Sequence, residues 1–246
     1  MKMKKCLNCQ EEVSEKFCPN CGQSIKTEKI SNKSIFVDIP FSIINIDSGF
    51  GYSLVEITKR PIQTAKDYIN GKKINQFRPL SFLLVITSLA YLLSQIFTDP
   101  ADLDTIEQFK NNGLGKRVTD FLLNTPQIIV LLTIPFAALG QFLAFKKYKD
   151  SFAKHFYYVI FIQSFISIIT FIPSVFLSQN IYYIIISYTF TLISIFGCYV
   201  SIYKNQVKGI ITILRCLLGI FYSLLVLFFL FVIALIIIIV IAKMIE

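Results

Sequence analysis

Five runs of the chain, roughly Leu80–Phe97, Phe121–Phe145, Phe156–Ser178, Ile181–Tyr203 and Leu217–Ala242, are apolar almost without interruption. A helix rising 1.5 Å per residue crosses the roughly 30 Å hydrocarbon layer of a bilayer in about 20 residues. Inside that layer every backbone N–H and C=O has to be satisfied by the segment itself, and a single segment does this only as a helix. With 54% hydrophobic residues, 16% charged and 24 Phe, the chain also carries more apolar surface than a soluble core of 246 residues can hide. The runs therefore predict a polytopic all-α membrane protein of about five spans, with four as the rival count.

Proline and tyrosine refine the pattern. Pro126 and Pro135 put either an external first turn or a kink into the second run, and Pro173 marks the far end of the third. Only Gln179 and Asn180 separate the third run from the fourth, so those two helices are expected to form an antiparallel hairpin. Tyr91, Tyr148, Tyr157, Tyr158, Tyr182, Tyr183 and Tyr203 fall near the ends of the runs, and the chain has no Trp. These tyrosines are expected to act as its interfacial anchors.

The net charge of +9 would suggest nucleic acid in a soluble protein, but here it is partitioned by loop. Lys59, Arg60, Lys66, Lys72, Lys73 and Arg78 precede the first run. The next loop is net acidic, with Asp99, Asp102, Asp104, Glu107 and Asp120 against Lys110, Lys116 and Arg117. Lys146, Lys147, Lys149 and Lys154 then fill a basic loop, the Gln179–Asn180 link is uncharged, and Lys204, Lys208 and Arg215 fill the last loop. Basic residues are retained on the cytoplasmic side. The alternation therefore predicts a cytoplasmic N-terminus and, for five spans, an external C-terminus. Met1 to Lys5 leads into polar sequence and not into the apolar core of a secretory signal.

Ahead of the runs stand Cys6, Cys9, Cys18 and Cys21, as two C-x-x-C pairs. The reducing compartment assigned by the loops disfavours structural disulfides. A thioredoxin-like redox site needs one such pair on a βαβ frame, whereas here two pairs lie eight residues apart. Two tight turns, each presenting two thiolates, complete a tetrahedron about 2.3 Å from a zinc ion, and Pro19 and Gly22 suit such a turn. Leu7, Val13, Phe17 and Ile25 are too few to hold some 25 residues together. One structural Zn²⁺, contributing roughly 10–16 kcal/mol, is expected to supply the fold of residues 1–28.

Zinc with all four positions filled by Cys has no site open for water or substrate, so the ribbon is not expected to catalyse. Glu11, Glu12 and Glu15 against Lys16 oppose phosphate binding, which argues against nucleic acid. Lys4, Lys5, Lys16 and Lys26 suit the −2 charge of four thiolates around one Zn²⁺. Cys198 and Cys216 read as small apolar residues.

Residues 29–79 hold short apolar clusters: Ile35, Phe36, Ile39, Ile43, Ile44 and Ile46, then Phe50, Leu54, Val55 and Ile57. Pro40, Gly49 and Gly51 interrupt them. None is long enough to cross, so the segment is expected to form amphipathic helices at the membrane interface under the basic collar of Lys59 to Arg78. That collar serves topology before any specific lipid.

The ordered series Cys-x-x-Cys, Cys18-Pro19-Asn20-Cys21-Gly22, Asp47-x-Gly49, Arg60-Pro61, Tyr68-Ile69-x-Gly71-Lys72-Lys73 and Phe77-x-Pro79 resembles a family of uncharacterised bacterial membrane proteins. Members of that family join an N-terminal zinc ribbon to a membrane domain of unknown function. The resemblance covers residues 6–97, beyond which only hydropathy matches. The chain departs from the usual pattern with Gln10 where Gly often follows the first pair, Ile62 where Gly often follows Arg-Pro, and Lys73 where Arg is common. The resemblance implies a bacterial inner membrane location and supplies no reaction, substrate or partner.

Chemistry within the spans is scarce. Gln95, Asn124, Gln141 and Gln163 are scattered polar groups, and His155, at the end of a run, is expected to be a solvated boundary residue. No Ser-His-Asp set, H-E-x-x-H or Gly-rich phosphate loop can be assembled. The chain is therefore expected not to be an enzyme. Three units follow: a ribbon (1–28), an interfacial segment (29–79) and a transmembrane domain (80–246). The lipid bilayer is one partner and a cytoplasmic protein held by the ribbon another, with no small-molecule substrate identified. The expected role is docking or scaffolding; a small permease or channel-like component, with the ribbon serving assembly or regulation, is the alternative.

Overall fold

A computed structural model of the chain describes residues 4–35, 49–97, 126–177 and 181–245. The expected clusters at Phe36 to Ile46, the acidic loop from Asp99 to Asp120 and the Gln179–Asn180 link lie outside the described residues.

The protein opens on a two-stranded antiparallel sheet, β1 (Lys4–Lys5) and β2 (Glu12–Val13), paired Lys4 to Val13 and Lys5 to Glu12. Two short helices follow, α1 (Phe50–Lys59) and α2 (Pro61–Ile69). The long helices are α3 (Pro79–Phe97), α4 (Pro126–Phe145), α5 (Phe152–Leu177), α6 (Ile181–Tyr203) and α7 (Gly209–Ile245). Among the described residues, four stretches are long and apolar enough to cross a membrane: Val130–Tyr148, Phe152–Phe171, Ile185–Tyr203 and Gly209–Phe229. In α3 the apolar stretch is shorter, Pro79–Leu93. This is the pattern of a multi-pass membrane protein with four to five apolar helices.

Local chemistry explains the punctuation of residues 49–79. Gly49 starts α1 at φ +106°, and a Cβ there would lie 2.3 Å from the Asn75 carbonyl oxygen, so both conformation and space require glycine. Arg60 is held out of the helical region by the proline that follows, and Pro61 opens α2 at the position where its missing N–H costs nothing. Gly71 closes α2 at φ +91°. The N–H of Lys72 donates to the Asp67 carbonyl at 2.9 Å and that of Gly71 to Tyr68 at 3.0 Å, the paired bonds of a Schellman cap. The Phe77 N–H donates to Ser53 Oγ at 2.7 Å, tying the approach to α3 onto α1, and the Phe50 ring packs on Phe77 and Phe82 at 5.6 and 5.0 Å. The family-like residues of this stretch thus build one folded corner.

Both short helices are amphipathic as expected, and their apolar faces are turned onto protein. Ile57, Ile62, Ala65, Tyr68 and Ile69 are buried in the same hydrophobic cluster as the long helices, with the Tyr68 ring 5.5 Å from Tyr157 and 5.8 Å from Phe161 of α5. Tyr52 and Val55 of α1 remain exposed. α5 is central: it packs against α1, α2, α3, α4 and α6. α4 lies along α7 so closely that a Cβ on Gly140 would sit 2.2 Å from the Gly219 carbonyl oxygen, the small-residue contact by which membrane helices approach each other.

Several expectations need correction. Tyr157, Tyr158 and Tyr203 are buried in the bundle and are not interfacial anchors, whereas Tyr182 is 73% exposed. Arg215 is not a loop residue but part of α7: its Nη1 donates to the Ala144 carbonyl at 2.7 Å and its guanidinium lies 5.2 Å from the Tyr148 ring centre. The long arginine stem lets a helical residue place its charge at the end of α4. α7 starts at Gly209, before the expected apolar run at Leu217, because Arg215, whose charge reads as loop in the sequence, is satisfied within the helix by the Ala144 carbonyl.

His155 is fully buried rather than solvated. Its ring stacks 6.3 Å from Tyr199 with 12° between planes, and Nε2 lies 3.5 Å from Tyr203 Oη. The Tyr203 hydroxyl donates to Asp150 Oδ2 at 2.8 Å, and Lys154 pairs with Oδ1 at 2.7 Å. α5 is apolar on every side, so periodicity could not show that this position faces α4 and α6.

Candidate metal centre

The four cysteines expected as ligands come together. Cys6 Sγ lies 3.6 Å from Cys21 Sγ and Cys9 Sγ 3.4 Å from Cys18 Sγ, and all four sulfurs lie within 4.8 Å of one another. None of them forms a disulfide. A tetrahedron of sulfurs about 2.3 Å from its centre has edges of about 3.8 Å. The cluster fits a single tetrahedral ion, each contact pairing one cysteine of the first turn with one of the second.

Two copies of the same loop build it. In the first, the Cys6 N–H donates to the Glu11 carbonyl at 2.8 Å and the Gln10 N–H returns to Cys6 at 3.0 Å. In the second, Cys18 donates to Gln23 at 2.9 Å and Gly22 returns to Cys18 at 2.8 Å. The fifth residue of each loop is left-handed, Gln10 at φ +67° and Gly22 at φ +75°. The glycine missing at position 10 therefore does not alter the loop; glutamine adopts the conformation at a steric cost of roughly 1 kcal/mol.

The thiols are set against one another. Burial raises the Cys6 thiol, but the backbone N–H groups of Cys9 and Asn8, then the sulfurs of Cys21 and Cys9, bring it down to about 7. The N–H of Glu11 pulls Cys9 down, while burial and the neighbouring sulfurs of Cys18, Cys21 and Cys6 push it up to about 12. Negative charge on one sulfur opposes ionisation of the next, so a cation is what would bring all four to thiolate together.

Around the sulfurs the buried apolar residues are Cys6, Val13 and Cys18, with Ile25 packed against them. Phe17, expected in this small core, is instead 61% exposed. The backbone of Phe17 pairs with Ser24, which fixes the position and turns the side chain outward.

Sequence reasoning missed how the cysteine unit is seated. Gln23, buried, donates from Nε2 to the Gly71 carbonyl at 2.9 Å, and its Oε1 accepts the Lys73 N–H at 3.0 Å. A Cβ on Gly71 would lie 2.5 Å from Leu7 Cδ1, so the Leu7 side chain rests directly on the Gly71 backbone. Ile30 N–H adds a bond to the Ile69 carbonyl at 2.9 Å, and Asn32 Oδ1 accepts the Ala153 N–H at 3.1 Å, capping the first turn of α5. The Tyr68-Ile69-x-Gly71-Lys72-Lys73 series is therefore the seat of the cysteine unit, a link that spacing alone does not reveal.

Residues 47–91 match the family model described as a protein of unknown function (DUF3667). The match covers α1, α2 and most of α3, including the seat at Gly71, and does not reach the cysteines. No curated protein and no solved structure matches the chain.

Proposed function

We propose that the protein is a membrane-embedded docking or scaffold protein whose four cysteines hold one structural zinc ion on the cytoplasmic side of a bacterial inner membrane. The observation that carries this reading is the exposed Phe17. A unit with three buried apolar residues and Ile25 beside them has no aromatic ring to spare, yet it presents this one to solvent. Exposed aromatics that gain burial on association anchor protein interfaces. Beside Phe17 runs an open groove lined by Val13 and Ile25, with Lys4, Lys16 and Lys26 against Glu15 around it, and the neighbouring Glu11 and Glu12 are exposed. The partner that fits is a protein that buries the Phe17 ring in an apolar pocket and meets charges of both signs around it. Four thiolates leave no open metal position, so zinc supplies shape and charge there and no reaction.

The docking reading is tested by purifying the full chain from membranes as wild type, as Phe17→Asp and with Glu11, Glu12 and Glu15 all changed to Lys. Each variant is expected to keep its zinc and its membrane insertion and to lose co-purifying proteins. If the same proteins co-purify and crosslinks from residues 11–17 reach only residues 35–75 of the same chain, the unit is a brace and docking is wrong.

One observation favours a small permease as the second reading. A cavity of about 200 Å³ lies among α4, α5, α6 and α7, lined in part by Gln141, Gln163, Tyr199 and Ser223. Gln141 Oε1 and the Tyr199 hydroxyl are buried and meet no partner among the described residues. Polar groups left open within a membrane bundle mark a place for water or solute. Uptake or leak in proteoliposomes that Tyr199→Phe and Gln141→Leu abolish would establish this reading.

A further inference from the structure

A groove of about 480 Å³ lies between α2 and α6, with Phe165 of α5 in its wall. Its polar end is lined by Arg60, Lys66 and Lys204, and its other, mostly apolar end by Phe165, Gly197 and Cys198 with Ser194. A Cβ built on Gly197 meets nothing within 4 Å, so the groove is open at that point, and the neighbouring Ile193 of α6 is 64% exposed. One end thus carries cations and the other continues the lipid-facing side of a membrane-length helix.

Of the three charges at the polar end, Arg60 is paired with Glu56, and Lys66 and Lys204 lack counter-charges among the described residues. Lys66 Nζ donates to the carbonyls of Ser201 and Ile202 at 3.4 and 3.3 Å, in the last turn of α6. Neither Lys66 nor Lys204 forms an ion pair among the described residues. The nearby carboxylates are engaged elsewhere: Glu56 with Arg60, and Asp67 with Lys72 at 3.1 Å and Gln63 at 3.2 Å. Burial, and then the charge of Lys204, hold the Lys66 ammonium below the usual lysine range. Positive-inside topology asks only for basic residues in a loop; it does not ask for two of them on different elements to face one concavity.

We propose that this groove binds one anionic phospholipid, its phosphate between Lys66 and Lys204 with Arg60 at the rim and an acyl chain along Gly197 and Phe165. The single negative charge of a phosphodiester, placed between two cations that otherwise repel, attracts both, and the apolar end gives the tail a path that a free phosphate would not use.

Native mass spectrometry of the full chain, released from micelles containing equal phosphatidylglycerol and phosphatidylcholine, tests this. Wild type is expected to retain one phosphatidylglycerol by about thirty-fold over phosphatidylcholine, the equivalent of about 2 kcal/mol for two lysines. Lys66→Gln with Lys204→Gln is expected to bring that ratio to about one to twofold. Lys146→Gln with Lys147→Gln, equally basic but outside the groove, is expected to keep it. Gly197→Leu, which fills the groove without changing charge, is expected to lose the bound lipid. Thermal unfolding in phosphatidylcholine alone checks that each variant is folded, and each lysine is also changed singly so that one folded variant remains. No preference in wild type, a ratio unchanged by the groove lysines, an equal loss from Lys146 and Lys147, or full displacement by inorganic phosphate would each overturn the proposal.

Discussion

The cysteine unit and the helical bundle solve the problem of holding a chain together in opposite ways. In residues 4–25 a few positions carry the structure. Four sulfurs gather, Gln10 and Gly22 turn left-handed, and Gln23 reaches out to Gly71 and Lys73. In α3 to α7 many residues contribute alike. One cluster spans residues from Ile30 to Cys216, and no single contact defines it. Losing one residue should therefore abolish the first region and only weaken the second.

The largest expected effect tests that contrast directly. On the proposed zinc reading, Cys6→Ser removes one of four ligands to a metal that would contribute roughly 10–16 kcal/mol, so the metal should be lost and residues 4–28 should become protease-sensitive while helical circular dichroism persists. Elemental analysis with limited proteolysis checks both halves; retained metal would show that Cys6 is not a ligand. Next comes the bundle. Gly140→Leu forces a side chain into the Gly219 backbone and Ser223 of α7 and should cost about 3 kcal/mol or more, read as an earlier thermal unfolding transition with metal content unchanged.

A smaller change should separate the two regions without unfolding either. Gln23→Ala removes both hydrogen bonds to residues 71 and 73, worth about 2 kcal/mol together. The metal should stay, and the segment between Ser24 and Ile35 should be cleaved faster by protease. Equal cleavage rates in wild type and variant would mean that the seat does not rest on Gln23.

The smallest effect lies at the end of the bundle and depends on pH. Burial raises the Asp150 carboxyl, but the hydrogen bonds from Lys154 and Tyr203 outweigh it and hold the group below the usual carboxylate range. A group depressed in the folded state contributes stability above its unfolded value near 3.9 and loses it as pH falls through the folded value. Asp150→Asn should therefore cost about 1 kcal/mol at neutral pH, and the gap to wild type should close below about pH 4. A gap that stayed constant to pH 3 would remove the carboxylate from the account.

What the sequence reveals follows the same division. Cysteine spacing specifies a cluster because two C-x-x-C turns so close in the chain bring four sulfurs within reach of one another, and long apolar runs specify helices because lipid permits little else. Faces were not legible. α5 is apolar all round, so nothing distinguishes His155, Tyr157 and Tyr158, which are buried against protein, from positions facing lipid. Arg215 misleads for a related reason: charge ends an apolar run, yet α7 continues through it because the guanidinium finds the Ala144 carbonyl. The Gly71 seat was visible as a motif and opaque as a contact, since its partners Leu7 and Gln23 lie far back in the chain.

Those long separations bear on how the molecule comes into being. Gln23 emerges 48 residues before Gly71, the residue that receives its amide, and Asn32 emerges 121 residues before Ala153, whose N–H it accepts. At about 5–20 residues per second, Asn32 is out of the ribosome for roughly 6–24 s before its partner is made. The cysteine loops close within fewer than ten residues each and need nothing later in the chain, so that unit is complete first. The bundle then grows toward a finished neighbour, and the cap on α5 is the last of these bonds to form, joining early and late parts of the chain only once the third long helix has begun.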